Sequence, residues 1–450
     1  MNVIIVGCGQ VGVTLAEKLS LEGNNVTVID TSAERVKFVT DRIDVLGVVG
    51  NGATHMTQVE AGIDKADMLI AVTDADELNL LSCTMAKIAS GCKTIARVRS
   101  HDYNAEIPFI KESLGLAAVI NPEEAAADEI ARLLRFPSAV SIDLFAGGRI
   151  ELLTFRLPEG STIVGKSVRE VAAKHATDVL FCTAERGEEA FITKGDFVFA
   201  AHDLISVIAS PRSAENFAKL IGCKSRAIKD AIIVGGGEIT LYLCRALSRT
   251  GISLRVIERD ATLADRLATE YPEVTVINAN TDDREILAEE GLEETDAFLA
   301  MTGVDDENVV LSLFARSKLT GKLITKIGNT NYDDIAEHLG LDTVIYPTGI
   351  VSDIIVRYAR ALKKARGSNM ERLYSVIPGK IEAAEFIVRE ESDITDTPLS
   401  ELKLKDNVLV AAIIRDGKLT VPRGSDSIQV GDTVIIVSEL SLCDLTDALL

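Results

Sequence analysis

Two short stretches have the residue types and spacing to hold a nucleotide. "VIIVGCGQVG" (3–12) is a run of apolar residues ending in Gly7-Cys8-Gly9-Gln10-Val11-Gly12, a full G-x-G-x-x-G. "AIIVGGGEIT" (231–240) ends in Gly235-Gly236-Gly237-Glu238-Ile239-Thr240, with threonine in the third glycine's place. An acid follows each turn by the same interval: Asp30 lies 23 residues beyond Gly7, and Glu258 lies 23 beyond Gly235. In this pattern the first glycine permits a tight turn and the second lets backbone approach a pyrophosphate. The third brings the following helix close to the sheet. Helix N-terminal amides then meet the phosphate charge. An acid at the end of the next strand accepts hydrogen bonds from ribose hydroxyls and repels a 2′-phosphate, which favours NAD or an adenosine nucleotide over NADP. Thr240 predicts either a slightly displaced helix or a hydroxyl with a partner. Glu238 adds negative charge near its phosphate position, so retained binding and a site kept only for packing both stand open there.

"AVTDADELN" (71–79) leaves the fourth apolar run, where ligands of open α/β sheets sit. Thr73 and Asp74 are therefore expected to border the nucleotide. Asp76, Glu77 and Asn79 open the next helix, and capping explains them as well as binding does. Arg97 ends the strand in "ARVR" and is placed to meet a phosphate, a neighbouring subunit or a surface carboxylate. Its counterpart Lys326 keeps the charge but not the bidentate fork.

Machinery for chemistry beyond binding is not evident. Neither His55 nor His101 has a recognisable acid or lysine partner by local motif, and His175 and His202 read as surface or turn residues. No HExxH, CxxC, GxSxG or P-loop motif appears. The acidic runs "DADE" and "DDEN" lack EF-hand spacing and read as helix starts. Cys8 reads as a small residue tolerated in the turn, and seven scattered cysteines suit a reducing compartment. No catalytic and no metal-binding residues are expected.

The elements that position these residues come in duplicate. "AVTDADELN" aligns with "AMTGVDDEN" (300–308), "ARVRSHDY" (96–103) with "TKIGNTNY" (325–332), and "AHDLISVI" (201–208) with "VGDTVIIV" (430–437), each offset by 229. Each half opens with apolar strands alternating with amphipathic helices, which implies a doubly wound parallel sheet. Expected features include a helix capped by Ser32, a helix over 77–90 and a helix ending at Gly23. Each half closes with short strands and turns, among them a hairpin at "RDGK" (415–418). The fold class is α/β: two Rossmann-like domains, each followed by a small α+β domain. The expected boundaries are 1–136, 137–224, 228–366 and 367–450, with "KKARGSN" (363–369) as a linker.

The 450 residues carry 47 basic and 68 acidic side chains, a formal charge of −21. Such a surface repels nucleic acid and anionic lipid. Apolar residues make up 47%, yet no run approaches the roughly 20 residues that span a bilayer. "MNVIIVG" shows no basic segment or cleavage site, so no signal peptide and a cytoplasmic location are expected.

The order "IIVGCGQVGVTLAEKL", "VTVID", "GNGATHMTQVEAGIDKADMLIAVTDADELNLL" and "ARVRS" strongly resembles the regulatory subunits of Trk-type potassium uptake. "VIERD", "VDDEN" and "VGDTVIIV" extend the resemblance through the second half. It implies paired RCK N- and C-domains in a homo-oligomer, a tetramer, docked at the inner face of the membrane under a potassium-translocating subunit and not inserted itself. It also implies that NAD(H), and in some members ATP or ADP, shifts gating. The family's contacts carry over to Gly7, Cys8, Gly9, Gln10, Val11, Asp30, Thr73, Asp74 and Arg97, and to Gly235, Gly236, Gly237, Glu238, Ile239 and Glu258. Thr240, Lys326 and the "AHD" at 201–203 depart from the pattern. An NAD-dependent oxidoreductase and a free cytosolic nucleotide sensor are the rival readings.

Overall fold

The computed structural model describes residues 1–450 except 101–102, 104–105, 146–149, 176–178, 224–226, 281–283, 329–335, 337, 342, 365–369, 378–379, 406, 440–448 and 450. His101, Cys443 and most of the expected linker at 363–369 lie outside the described residues.

In the first half, β1 (Asn2–Val6), α1 (Gln10–Leu21), β2 (Asn25–Asp30), α2 (Ala33–Thr40), β3 (Leu46–Val49), α3 (His55–Glu60), β4 (Met68–Ala71), α4 (Asp76–Ser90), β5 (Lys93–Arg97), α5 (Ile107–Ser113), β6 (Ala118–Ile120) and α6 (Pro122–Arg135) follow in turn. After them come β7 (Ser141–Phe145), β8 (Ile150–Arg156), α7 (Val168–His175), β9 (Val179–Arg186), β10 (Glu189–Ile192), β11 (Leu204–Ala209) and α8 (Pro211–Leu220). The second half opens the same way, with β12 (Asp230–Val234), α9 (Glu238–Leu247), β13 (Ser253–Glu258), α10 (Ala261–Glu270), β14 (Thr275–Asn278), α11 (Arg284–Glu289), β15 (Ala297–Ala300), α12 (Asp305–Arg316), β16 (Lys322–Lys326), β17 (Val344–Ile345) and α13 (Pro347–Lys364). It ends in β18 (Met370–Ile377), β19 (Ile381–Ile387), β20 (Val408–Arg415), β21 (Lys418–Thr420) and β22 (Thr433–Ser438).

Packing divides the chain into two compact units, residues 1–131 with 229–359 and residues 132–228 with 360–450. The first unit holds both parallel sheets, ordered β3-β2-β1-β4-β5-β6 and β14-β13-β12-β15-β16-β17. The order reverses between β1 and β4, and between β12 and β15, so each glycine turn opens at a topological switch point. Central strands are apolar on both faces because helices cover both: Ile4, Ile5, Leu69 and Ile70 are buried, as are Ile232, Ile233, Phe298 and Leu299. The two parallel-sheet domains meet inside this unit. The buried Asn121 side chain donates to the Tyr242 hydroxyl (2.8 Å), and Lys18 pairs with Asp353 (2.6 Å).

The second unit holds the antiparallel sheets β10-β9-β11-β8-β7 and β18-β19-β22-β20-β21. One apolar cluster joins them, including Phe145, Leu152 and Cys182 from the first module and Tyr374, Ile381 and Val437 from the second. The Phe145 and Tyr374 rings meet edge-on at 4.5 Å. The hairpin expected at "RDGK" is present, with Asp416 and Gly417 both at positive φ between β20 and β21. Where the chain departs from its pattern at "AHD", His202 takes a left-handed conformation (φ 67°) that Gly431 takes in the second module. The following acids, Asp203 and Asp432, each grip an arginine, Arg186 and Arg415 respectively.

Candidate nucleotide site

The first glycine turn is built as its spacing requires. Gly7 sits at φ +106°, and a Cβ there would lie 3.0 Å from the Thr73 backbone nitrogen. A Cβ on Gly12 would lie 1.8 Å from the Gly7 carbonyl oxygen, so only glycine lets α1 approach the turn. α1 begins at Gln10, and its N-cap Gly9 has no side chain to satisfy the first amides. Those amides are left for a ligand.

Asp30 closes the other side. Its carboxylate accepts from the Cys8 amide (2.7 Å) and from the Ser32 amide (2.9 Å), which fixes its direction and leaves lone pairs for ribose hydroxyls. Ser32 then caps α2 by accepting from the Arg35 amide (3.3 Å), as the sequence predicts. Cys8 is buried, and burial with the nearby Asp30 charge pushes its thiol up to about 12. It is inert packing rather than a nucleophile.

A cavity of about 380 Å³ opens here. Gly7, Gly9, Gln10, Val11, Asp30, Thr73, Asp74 and Arg97 all line it. Cys8 lies on the wall of an adjoining cavity of about 760 Å³, while Gly12 works through its close approach to Gly7. Arg35, Asn51, Gly52 and Thr348 also line the first cavity, beyond the residues expected from the sequence. Arg35 lies one turn into α2, and Asn51-Gly52 follows β3, a strand end where the switch-point rule could have placed them. Thr348 comes from the second repeat, at the start of α13, and no local pattern marks it.

Arg97 is one of two arginines on the cavity wall, with Arg35. Its side chain is 12% exposed and reaches Asp74 at 3.8 Å and Glu123 at 3.7 Å. Burial lowers its pKa and raises that of Glu123, each opposed by the other's charge. Its buried Nε has no hydrogen-bond partner among the described residues. A guanidinium held by two long ion pairs, with an orphaned N–H, is suited to an incoming anion.

The acidic segment after β4 proves to be scaffolding. The N-cap of α4 is Ala75, which makes no side-chain cap bond. Asp76 instead accepts from the Arg99 and Ser100 amides (2.9 and 2.8 Å). Asn79 accepts from the Thr73 amide (2.8 Å) and donates to the Arg97 carbonyl (2.9 Å), so one side chain sets both strand ends bordering the cavity. Asn308 repeats this with Thr302 and Lys326. Among the described residues, no cluster of three histidine, cysteine or acidic side chains is arranged for a metal ion.

The second turn keeps the fold but alters the groups. Gly235 has φ +107°, and Glu258 accepts from the Gly236 and Asp260 amides as Asp30 does from its own pair. Thr240 resolves its departure from glycine by donating its hydroxyl to the Gly235 carbonyl (2.6 Å). Glu238 opens α9 and pairs with Arg266 at 3.0 Å. Lys326 is half-buried, and its desolvation lowers its pKa against the opposing charges of Asp305 and Glu123.

Comparison with known proteins adds the decisive observation. The TrkA-N domain model matches residues 3–122 and again 231–347, and the TrkA-C domain model matches 152–222 and 383–449. The chain belongs to the TrkA family. It is 29% identical over 449 residues to the Trk system potassium uptake protein TrkA homolog 1 of Methanosarcina mazei, covering 98% of each chain. It is 29% identical over 443 residues to the TrkA of Halomonas elongata, covering 97% of this chain and 95% of that one. Among solved structures, the GsuK RCK domain superposes with a TM-score of 0.64 at 15% identity, covering 97% of this chain and 92% of that one. The GsuK channel bound to NAD superposes with a TM-score of 0.63 at 15% identity, covering 97% and 76%. The expected fold, two Rossmann-like domains each followed by a small α+β domain, is the RCK arrangement, and the expected Trk kinship holds over the full chain.

Proposed function

We propose that this chain is a cytosolic regulatory subunit of a Trk-type membrane potassium-uptake protein, and that nucleotide in the first pocket biases its conformation. The carrying observation is the cavity at the first glycine turn, bordered by Asp30 at the ribose end and by α1 amides with Arg97 at the phosphate end. Its residues fit an adenine dinucleotide, NAD(H), and also ADP or ATP. Kinship with Trk system proteins supports potassium uptake as the process served. Among the described residues no helix is long and apolar enough to cross a membrane, which supports a peripheral partner of a separate translocating subunit.

A ligand acts on such a protein only through differential affinity for two conformations. Here Thr348 of the second repeat lines the pocket opened by the first, so ligand bridges two domains. No hydride or group transfer is assigned to the site: the chain binds and moves. A homo-oligomer, a tetramer, follows from the family resemblance, and light scattering is expected to return four times the 48.3 kDa chain.

Potassium flux into vesicles carrying the Trk-type translocating subunit tests the reading. Adding this chain should change the flux, and NADH or ADP should modulate that change. Asp30→Ala should abolish the modulation while leaving co-purification with the membrane subunit. Flux indifferent to the chain sinks the proposal, and steady NADH turnover with a metabolite panel would replace it with an oxidoreductase.

A further inference from the structure

We infer that the chain holds one nucleotide, not two: the second glycine turn is closed by its own side chains, and the second repeat serves as a wall of the first pocket. This rests on the nucleotide-binding reading above and specifies which of the two turns carries it.

The two turns share backbone form but not access. In the first, Asp30 and Thr73 face the cavity. In the second, their counterparts Glu258 and Thr302 are only 7% and 6% exposed. The second turn also sits tighter. A Cβ on Gly235 would lie 2.7 Å from the Met301 carbonyl carbon, against 3.0 Å for the nearest atom at Gly7. A Cβ on Gly236 would lie 2.7 Å from a methyl of Leu267, where the first turn accommodates the Cys8 side chain. The Gly235 turn is packed more closely against the chain leaving β15 than the Gly7 turn is against the chain leaving β4.

The charges tell the same story. Gln10, the first residue of α1, is neutral, and its counterpart Glu238 is a carboxylate at the helix N-terminus. Glu238 already has its cation, Arg266, at 3.0 Å. That carboxylate adds negative charge at the helix N-terminus and repels an anion there. The cation Arg35 on the first cavity's wall corresponds to Leu263. Lys326, in the place of Arg97, is half-buried and feels the charges of Asp305 and Glu123. Meanwhile Thr348, at the start of α13, lines both cavities around the first turn. The second repeat has exchanged a pocket of its own for a share in the other.

Calorimetric titration of the full chain with NADH, and separately with ADP, reads the stoichiometry. One equivalent per chain is expected. Two equivalents overturn the inference and leave the nucleotide reading intact, whereas none overturns both. Asp30→Ala should reduce binding to none, and a residual single equivalent in that variant again overturns the inference. Gln10→Glu and Arg35→Leu, both at exposed positions, copy the second turn's groups into the first. Each should weaken affinity about tenfold, and the pair together about a hundredfold, with the unfolding temperature unchanged. Undiminished affinity in the double variant would show that these groups do not decide between the turns.

Discussion

Arg97 is a side chain whose own contacts stop short of filling its donors. A buried guanidinium normally has its N–H groups filled, because an unsatisfied donor in a low-dielectric site costs about 1–3 kcal/mol. Here Nε has no partner among the described residues, and the two carboxylates stand at 3.7 and 3.8 Å. Replacing those long pairs with direct phosphate hydrogen bonds would satisfy the fork. Arg97→Lys keeps the charge, copies Lys326, and gives up the bidentate geometry. It should weaken ADP and NADH binding about tenfold, or about 1.4 kcal/mol, as read by calorimetry, with little loss in unfolding temperature. Affinity equal to the unsubstituted chain would remove Arg97 from the phosphate end. The glycines and Asp30 were legible beforehand because they answer to a local spacing. Asp76 and Asn79 were not, because their partners are backbone atoms at the end of another strand, 18 to 24 residues away.

At the scale of elements, alternation and turn residues carried most of the message. The helix expected over 77–90 is α4, Asp76–Ser90, and the hairpin expected at "RDGK" joins β20 to β21. The helix expected to close at Gly23 has its C-cap at Glu22, with Gly23 just beyond in the left-handed region (φ 70°). Sheet order in the small modules was not legible. In each, the last strand inserts between the second and third strands of the module, and only tertiary packing sets that choice. The "AHD" departure does have an element-level cost. The bend before β11 demands positive φ, and His202 adopts it in place of the glycine found at Gly431. A residue with a Cβ in that region costs of order 1 kcal/mol. His202→Gly relieves it but frees the unfolded chain, so a net gain of about 0.5 kcal/mol is expected. The urea midpoint should rise slightly, and a fall would mean that the imidazole makes a contact worth more than the strain.

In the first unit, the two parallel-sheet domains act together through a polar contact buried between them. Asn121 occupies the turn before α6, where its Oδ1 accepts from the Glu123 and Glu124 amides, both at 3.0 Å. Its amide nitrogen donates to the hydroxyl of Tyr242, which donates in turn to the Arg99 carbonyl (3.2 Å). Tyr242 is 1% exposed, and burial pushes its phenol up to about 12, so the hydroxyl keeps its proton at every physiological pH. The repeats are not alike here: Thr14 holds the place of Tyr242 in the first copy, so internal similarity gave no hint of this contact. Tyr242→Phe retains the ring and removes one atom. The Asn121 amide keeps only its 3.3 Å bond to the Arg99 carbonyl, and the buried loss should cost about 1–3 kcal/mol. The same segment begins α6 and carries Glu123 to Arg97, while Thr348 on the other domain walls the pocket. Loosening the contact between the domains should therefore also lower nucleotide affinity several-fold, although Tyr242 does not line the pocket. Urea unfolding and ADP titration of the same variant separate the two effects. A loss of stability with affinity intact would make the contact purely structural, and both losses together would make it the joint through which ligand in one domain is felt by the other.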